Sequence, residues 1–266
     1  MIHSVLLYVI IFLVALTMTM VGKGGGNFYV VILALANIPM HTAASTGQFI
    51  LCAASLSAMI VFHKNKSVSW KFAVLLGTVT ALSAFFGGFL SHQFSAFSLK
   101  IIFAVMLAAS GVIMLVPTGK LQIRKHNVEQ TSIFRFSLHT GEETYPINLL
   151  VVIPVTILTG FASGMVGVSG GSFLVPLMVL AAGVPMHIAV GTASVLIAAT
   201  SGMGFMGHAI QGDFNPSLAL PLAVMTILGG IIGGMFALKS KPKHLKQLFA
   251  YTNFLAAVMM VIQVML

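Results

Sequence analysis

GKGGGNFYVVILALANIPMHTAASTGQ (22–48) and GVSGGSFLVPLMVLAAGVPMHIAVGTAS (167–194) are two versions of one segment, and their relation decides the fold. IPMHTAASTGQ (38–48) aligns on VPMHIAVGTAS (184–194) without a gap at an offset of 146 residues. Each copy is preceded by a glycine cluster, GKGGG (22–26) or GVSGG (167–171), inside an otherwise apolar stretch. The offset persists downstream, where Gly87-Gly88 falls on Gly233-Gly234, Lys100 on Lys246 and Phe103 on Phe249. Residues 18–115 thus repeat as 164–261. A duplicated unit whose glycines interrupt hydrophobic spans is a construction used by secondary transporters to build a substrate site.

The rest of the chain agrees with a membrane setting. Hydrophobic residues make up 58% of it and charged residues 6%, against about a quarter charged in a soluble domain. Thirteen Lys and Arg outweigh four acids, and the bases sit in short loops between apolar runs. That distribution fits a bilayer with anionic lipid and excludes nucleic acid as the natural partner. Cys52, the single cysteine, lies within an apolar span and leaves no intrachain disulfide or cysteine metal cluster.

Apolar runs fall at about 4–21, 25–37, 41–62, 70–90, 99–116, 148–167, 171–183, 187–208, 217–238 and 245–266. Most approach the ~20 residues a spanning helix needs. The run at 4–21 lacks the basic lead of a signal peptide and reads as a retained membrane helix. Runs 25–37 and 171–183 are short, about 20 Å at the helical rise, and each follows a glycine cluster and ends at Pro39 or Pro185. The pattern predicts a helix that enters, breaks at the glycines and returns. Non-helical backbone at that depth must be buried in protein or line a cavity.

Loop charge sets the sign of the repeat. Loop 63–71 carries Lys64, Lys66 and Lys71, whereas its counterpart 209–217 has no Lys or Arg and contains Asp213. The next pair is reversed: 91–99 lacks Lys and Arg, and 239–246 holds Lys239, Lys241, Lys243 and Lys246. If basic loops face the cytoplasm, equivalent loops lie on opposite sides. Five segments per repeat give the same inversion by counting. The expected architecture is an all-α integral membrane protein of two inverted repeats, 1–117 and 148–266, with both termini extracytoplasmic. A cytoplasmic connector, 118–147, joins them, and its SIFRFSLHTGEETYPI stretch (131–146) suits a short hairpin with a Thr-Gly turn.

The candidate site gathers at the breaks. Gly24, Gly25 and Gly26, with Gly170, Gly171 and Ser172, would leave N–H groups free at half-helix starts, where an anion is favoured. Close helix packing is the competing explanation. Lys23 lies deep in the first break, where an ammonium must be paired, hydrated or snorkelling. With all four acids in loops, a bound anion would complete it; the equivalent position is Ser169. Asn27, Ser45, Thr46 and Gln48 in the first copy, and Thr192 and Ser194 in the second, offer hydroxyl and amide donors. Back-bonding to the preceding turn competes for the hydroxyls. His41 and His187 stand two residues after prolines at helix starts and read as boundary anchors. No catalytic triad, metal-ligand spacing or phosphate loop is present, so neither enzyme chemistry nor a cofactor is expected.

At TGFASGMVGVSGGSFLVPLMVLAAGVPMHIAVGTAS (159–194) the chain resembles the TauE/SafE family of sulfite exporters and sulfonate permeases. The first copy departs from it, with Lys23 in place of a small residue and Val30 where the second copy has Pro176. The resemblance implies a multi-pass permease of the cell membrane for a small sulfur-containing anion such as sulfite, a sulfonate or sulfoacetate. Alternating access around the paired breaks is the expected mechanism, with an anion channel or a non-transporting scaffold as alternatives. The coupling ion, proton or sodium, and homodimerisation stay open.

Overall fold

The computed structural model describes residues 2–95, 135–140, 143–181 and 184–265, with isolated positions between 97 and 112. The expected span at 99–116 and the polar stretch 118–134 lie largely outside the described residues. Nine α-helices are described: α1 Ile2–Met20, α2 Gly26–Leu35, α3 Met40–Lys64, α4 Trp70–Leu90, α5 Leu149–Val166, α6 Gly171–Pro176, α7 Met186–Ile210, α8 Pro216–Lys239 and α9 Pro242–Met265. A two-stranded antiparallel hairpin, β1 Arg135–Thr140 and β2 Glu143–Asn148, leads directly into α5, with Thr140 opposite Glu143. It occupies the stretch where the sequence suggested one.

Met40–Lys64, Trp70–Gln93, Met186–Ile210 and Pro216–Lys239 are long and apolar enough to cross a bilayer. Their outer faces carry exposed Val74, Leu82, Phe86, Leu220, Val224 and Phe236, an arrangement suited to lipid rather than water. Polar side chains are turned inward instead: Ser45, Thr46, Gln48, Thr80, Thr192 and Thr226 are all fully buried.

The two sequence halves interleave. Helix α4 packs on α5 and α7, while α8 packs on α1 and α3, and α3 lies along α7. Small residues permit this. A Cβ on Gly87 would strike the backbone of Phe161, and one on Gly233 would strike Leu16, so these helices meet backbone to backbone. Contacts fix the directions. Gly191 approaches Phe62, Cys52 reaches Ala198, and Gly204 meets Gln48, so α3 and α7 run antiparallel. Gly230 sits at Ala54 and Gly234 at Val61, so α8 runs with α3 and brings Lys239 to the Lys64 end.

Both breaks exist. Helix α1 stops at Met20, and Gly22, Gly24 and Gly25 take φ of 76°, 67° and 100° before α2 begins. Helix α5 stops at Val166, Gly167 takes φ 80°, and α6 begins at Gly171. Helix α2 then comes back alongside α1, since Leu6 and Ile10 share a groove with Leu35 and Ile38. The second return is helical over 171–181, in line with the run expected at 171–183, but changes type on the way: α6 has six residues and passes into a π turn, Leu177–Ala181. Pro176 at its end, without an N–H, removes one α-type bond and favours the wider turn. Two close approaches repeat with the duplication. Gly22 abuts Val190 and Gly167 abuts Ala44, and Val190 is the 146-residue counterpart of Ala44.

Candidate functional site

The breaks converge on each other and on the α3–α7 seam. Asn27, one residue into α2, donates through Nδ2 to Ser172 Oγ at 2.6 Å, and its Oδ1 accepts from the Ser169 N–H at 3.3 Å. Ser169 Oγ in turn accepts from the Gly171 N–H at 3.1 Å. One amide side chain therefore links two segments that the sequence places about 145 residues apart. Gly26 lies so close to the Val168–Ser169 backbone that a Cβ there would collide, and Gly171 lies as close to the Gly22 carbonyl.

Along α3, Ser45, Gln48, Cys52 and Ser55 are spaced at three or four residues and so share one face. That face meets α7 and the end of α5. Gln48 Nε2 donates to the Ser163 carbonyl at 2.8 Å, and the Cys52 thiol approaches the Ala198 carbonyl at 3.6 Å. Further along, Ser55 and Ser194 line a small cavity of about 10 Å³ with Thr19, Gly22 and Gly24. That volume is of the order of one water molecule.

Among the described residues, several buried polar atoms on this seam have no hydrogen-bond partner. They are Thr19 Oγ1, Ser45 Oγ, Thr46 Oγ1, Gln48 Oε1 and Ser55 Oγ. Leaving such an atom unpaired costs about 1–3 kcal/mol, so their concentration beside two glycine breaks demands a cause. Ser45, Thr46 and Gln48 were legible as candidates. Thr19 and Ser55 were not; the spacing of Ser55 on the Ser45 face is the signal that could have found it.

Other candidates are engaged by the protein itself. Thr192 Oγ1 accepts from the Ser69 N–H at 3.0 Å and fastens the α3–α4 turn to α7. Ser194 back-bonds to the Gly191 carbonyl at 2.6 Å, the local bond that competes with ligand binding. Gly170 has ordinary αR dihedrals and room for a Cβ, unlike Gly24 and Gly25.

Lys23 has a surrounding that the sequence did not foretell. Its ammonium donates to the Phe249 carbonyl at 2.6 Å, Thr252 Oγ1 at 2.7 Å and Asn253 Oδ1 at 2.5 Å, and lies 4.1 Å from the Phe249 ring centroid. All three ammonium donors are used, by neutral oxygens of α9. The side chain is 1% exposed and, among the described residues, has no carboxylate within ion-pair distance. Backbone bond Lys23 N–H to the Met18 carbonyl, 3.0 Å, closes the end of α1 and sets this direction.

At the end of the seam where α3 begins, three histidines gather around Asp213. The rings of His41 and His92 stack with centroids 4.1 Å apart and planes 7° from parallel. His92 Nε2 pairs with Asp213 Oδ2 at 2.8 Å, and His208 Nδ1 is 3.6 Å from the same oxygen. His208 is fully buried and its Nε2–H donates to the Gly164 carbonyl at 2.9 Å, next to the Ser163 carbonyl that Gln48 uses. Partial burial by itself would raise the Asp213 carboxyl, but hydrogen bonds from His208 and His92 outweigh it and hold the group below the usual range. His41 was read from sequence as a boundary anchor, and His92 and Asp213 appeared only as loop residues. Their meeting depends on two turns 121 residues apart, which no local pattern reveals.

A cavity of about 970 Å³ lies between α1, α2 and α9 and is lined mainly by Leu6, Ile10, Val14, Phe28, Ile32 and Leu255. It offers an anion almost no donors, so it is a lipid-facing groove rather than the site.

Comparison with known proteins places this architecture. The family model described as Sulfite exporter TauE/SafE matches residues 7–260. The chain is 26% identical over 251 residues to the probable membrane transporter protein YunE of Bacillus subtilis, covering 90% of this chain and 91% of that one. It is 26% identical over 257 residues to the probable membrane transporter protein MJ0441 of Methanocaldococcus jannaschii, covering 91% and 89%. A third relative, the probable membrane transporter protein YdhB of Bacillus subtilis, is 25% identical over 87% of this chain and 89% of its own length. No solved structure matches.

Proposed function

Since the chain belongs to the TauE/SafE sulfite exporter family and is a membrane transporter, we propose that it moves a small sulfur oxyanion or organosulfonate, such as sulfite, a sulfonate or sulfoacetate, by alternating access. The observation that carries this reading is the set of buried, unpartnered groups on the α3 face and at the first break: Thr19, Ser45, Thr46, Gln48 and Ser55. A substrate passing along the seam gives these hydroxyls an acceptor. The free Gln48 oxygen needs a donor, which suits a hydroxyl-bearing anion such as hydrogensulfite. Asn27, Ser169 and Ser172 hold the two breaks together, and Gly26 and Gly171 let their backbones approach. Lys23 adds positive potential from its α9 anchorage, since its partners are neutral and leave its charge uncompensated.

The halves 1–117 and 148–266 act as opposed units in this reading, supported by the antiparallel course of α3 and α7. The lysine-bearing ends, with the 118–147 connector, face the cytoplasm by the positive-inside bias, and the His–Asp end and both termini face outward.

Uptake of sulfite, thiosulfate, sulfonates and carboxylates into proteoliposomes tests the substrate class. Ser55→Ala is the informative variant. It removes an unpartnered buried hydroxyl, so stability should hold or rise, while KM for the transported anion should rise by about tenfold, the equivalent of one hydrogen bond to a charged group. Unchanged KM in Ser55→Ala and Ser45→Ala together would remove the seam from the pathway. Conductance without saturation would replace the carrier by a pore. Labelling of Lys64→Cys and Ser217→Cys in a Cys52→Ser background tests orientation: reagent added outside should reach 217 and not 64, and equal access refutes the arrangement.

A further inference from the structure

We propose that His41, His92 and Asp213 form a binding site for a divalent transition-metal ion, of the zinc and nickel class, that bridges the two halves of the protein at one end of the seam. His41 comes from the start of α3 and His92 from the turn after α4, both in the first half. Asp213 comes from the α7–α8 loop of the second. Each side chain offers one ligand atom, and these atoms all lie within 4.8 Å of one another. A tetrahedral ion with bonds of roughly 2.0–2.2 Å holds its ligands about 3.3 Å apart, so side-chain rotations that unstack the two imidazoles close the site. His92 Nε2 and Asp213 Oδ2 already stand at 2.8 Å, joined by a proton that the metal would displace.

Three further observations set this cluster apart from incidental surface polarity. Asp213 is the one acid of the chain outside residues 118–147, and it lies where three histidines converge. The stacking of the His41 and His92 rings, centroids 4.1 Å apart, keeps both imidazoles at one place beside the carboxylate, and turning the rings out of parallel aims their in-plane lone pairs at one ion. His208, fully buried with its Nε2–H on the Gly164 carbonyl and Nδ1 3.4 Å from Ser91 Oγ, stands 3.6 Å from the Asp213 oxygen and forms a fixed polar wall behind the carboxylate.

The ligand set selects the metal. Two imidazoles and one carboxylate favour zinc, nickel or cobalt over magnesium or calcium, which prefer all-oxygen shells. Three protein ligands leave a fourth position for water or an anion. Binding there would clamp the α7–α8 loop to the α3 start and the 91–95 turn.

Binding is read without transport, so its failure leaves the carrier reading standing. Tag-free full-length protein in detergent, titrated with Zn²⁺ by calorimetry and with Co²⁺ by visible absorption, should bind one equivalent and give the intense bands of a four-coordinate site. His92→Ala, at a side chain 43% exposed and so tolerant of change, should weaken binding by at least about tenfold, as should Asp213→Asn. Magnesium should not compete. No saturable binding, or Zn²⁺ affinity unchanged in both His92→Ala and His41→Gln, would overturn the proposal.

Discussion

The two glycine breaks descend from one segment but are secured differently. In the first, three φ-positive glycines, Gly22, Gly24 and Gly25, flank a lysine whose head group is bonded into α9. In the second, a single such residue, Gly167, suffices, and the ammonium is replaced by Ser169, which bonds only to its own loop and to Asn27. The first break returns as a ten-residue helix, the second as six residues and a π turn. Duplication supplied the scaffold twice; the first copy is fastened through a lysine to the last helix, the second through the neutral side chains of Asn27, Gln48 and His208.

That contrast can be broken by substitution. The largest effect is expected for Gly25→Ala and Gly167→Ala. Both place a Cβ at positive φ and against Tyr29 or the Ala44 backbone, so each should lower stability by more than about 1 kcal/mol, read as thermal unfolding in detergent. Gly170→Ala is the control: at φ −62° with its nearest neighbour 3.6 Å away, it should be neutral or raise stability by about 0.4–1 kcal/mol. Equal losses at 25, 167 and 170 would mean that the breaks are not shaped as described. Next comes Lys23→Met, which keeps the volume but withdraws three donors from α9. A loss of about 1–3 kcal/mol is expected, and full stability with abolished anion uptake would instead make Lys23 a substrate ligand. The smallest effect is Ser169→Ala, about 0.5–1.5 kcal/mol, because its hydroxyl serves one local N–H. A larger loss than in Lys23→Met would reverse the order of the two breaks.

The sequence carried the architecture further than the site. Span lengths, both breaks and the hairpin between the halves could be read from hydropathy, glycine and turn residues, because a bilayer forces backbone hydrogen bonds to close within each segment. Ser45, Thr46 and Gln48 were legible because they flank the repeated Pro-Met-His motif. The direction of Lys23 was not. Its depth could be inferred, but its neutral partners Phe249, Thr252 and Asn253 lie 226 to 230 residues away on the last helix. The same holds for the His–Asp cluster, whose members are unremarkable in their own segments. The π turn in the second return also escaped, since an apolar run has no signature that separates an α turn from a π turn.

The two ends of the α3–α7 seam are closed by different chemistry. One is held by the neutral Ser69–Thr192 bond, the other by His41, His92 and Asp213. Under the 146-residue relation the counterparts of those three are His187, Leu238 and Ser67, so the ionic closure has no equivalent at the opposite end. A pair of related halves swinging between two states would ordinarily pass through mirror-like end points of similar energy. On the alternating-access proposal the two end points of this chain would be unequal by composition, and only one would answer to the solutes around it. The unduplicated histidine and aspartate would then bias an otherwise reversible swing.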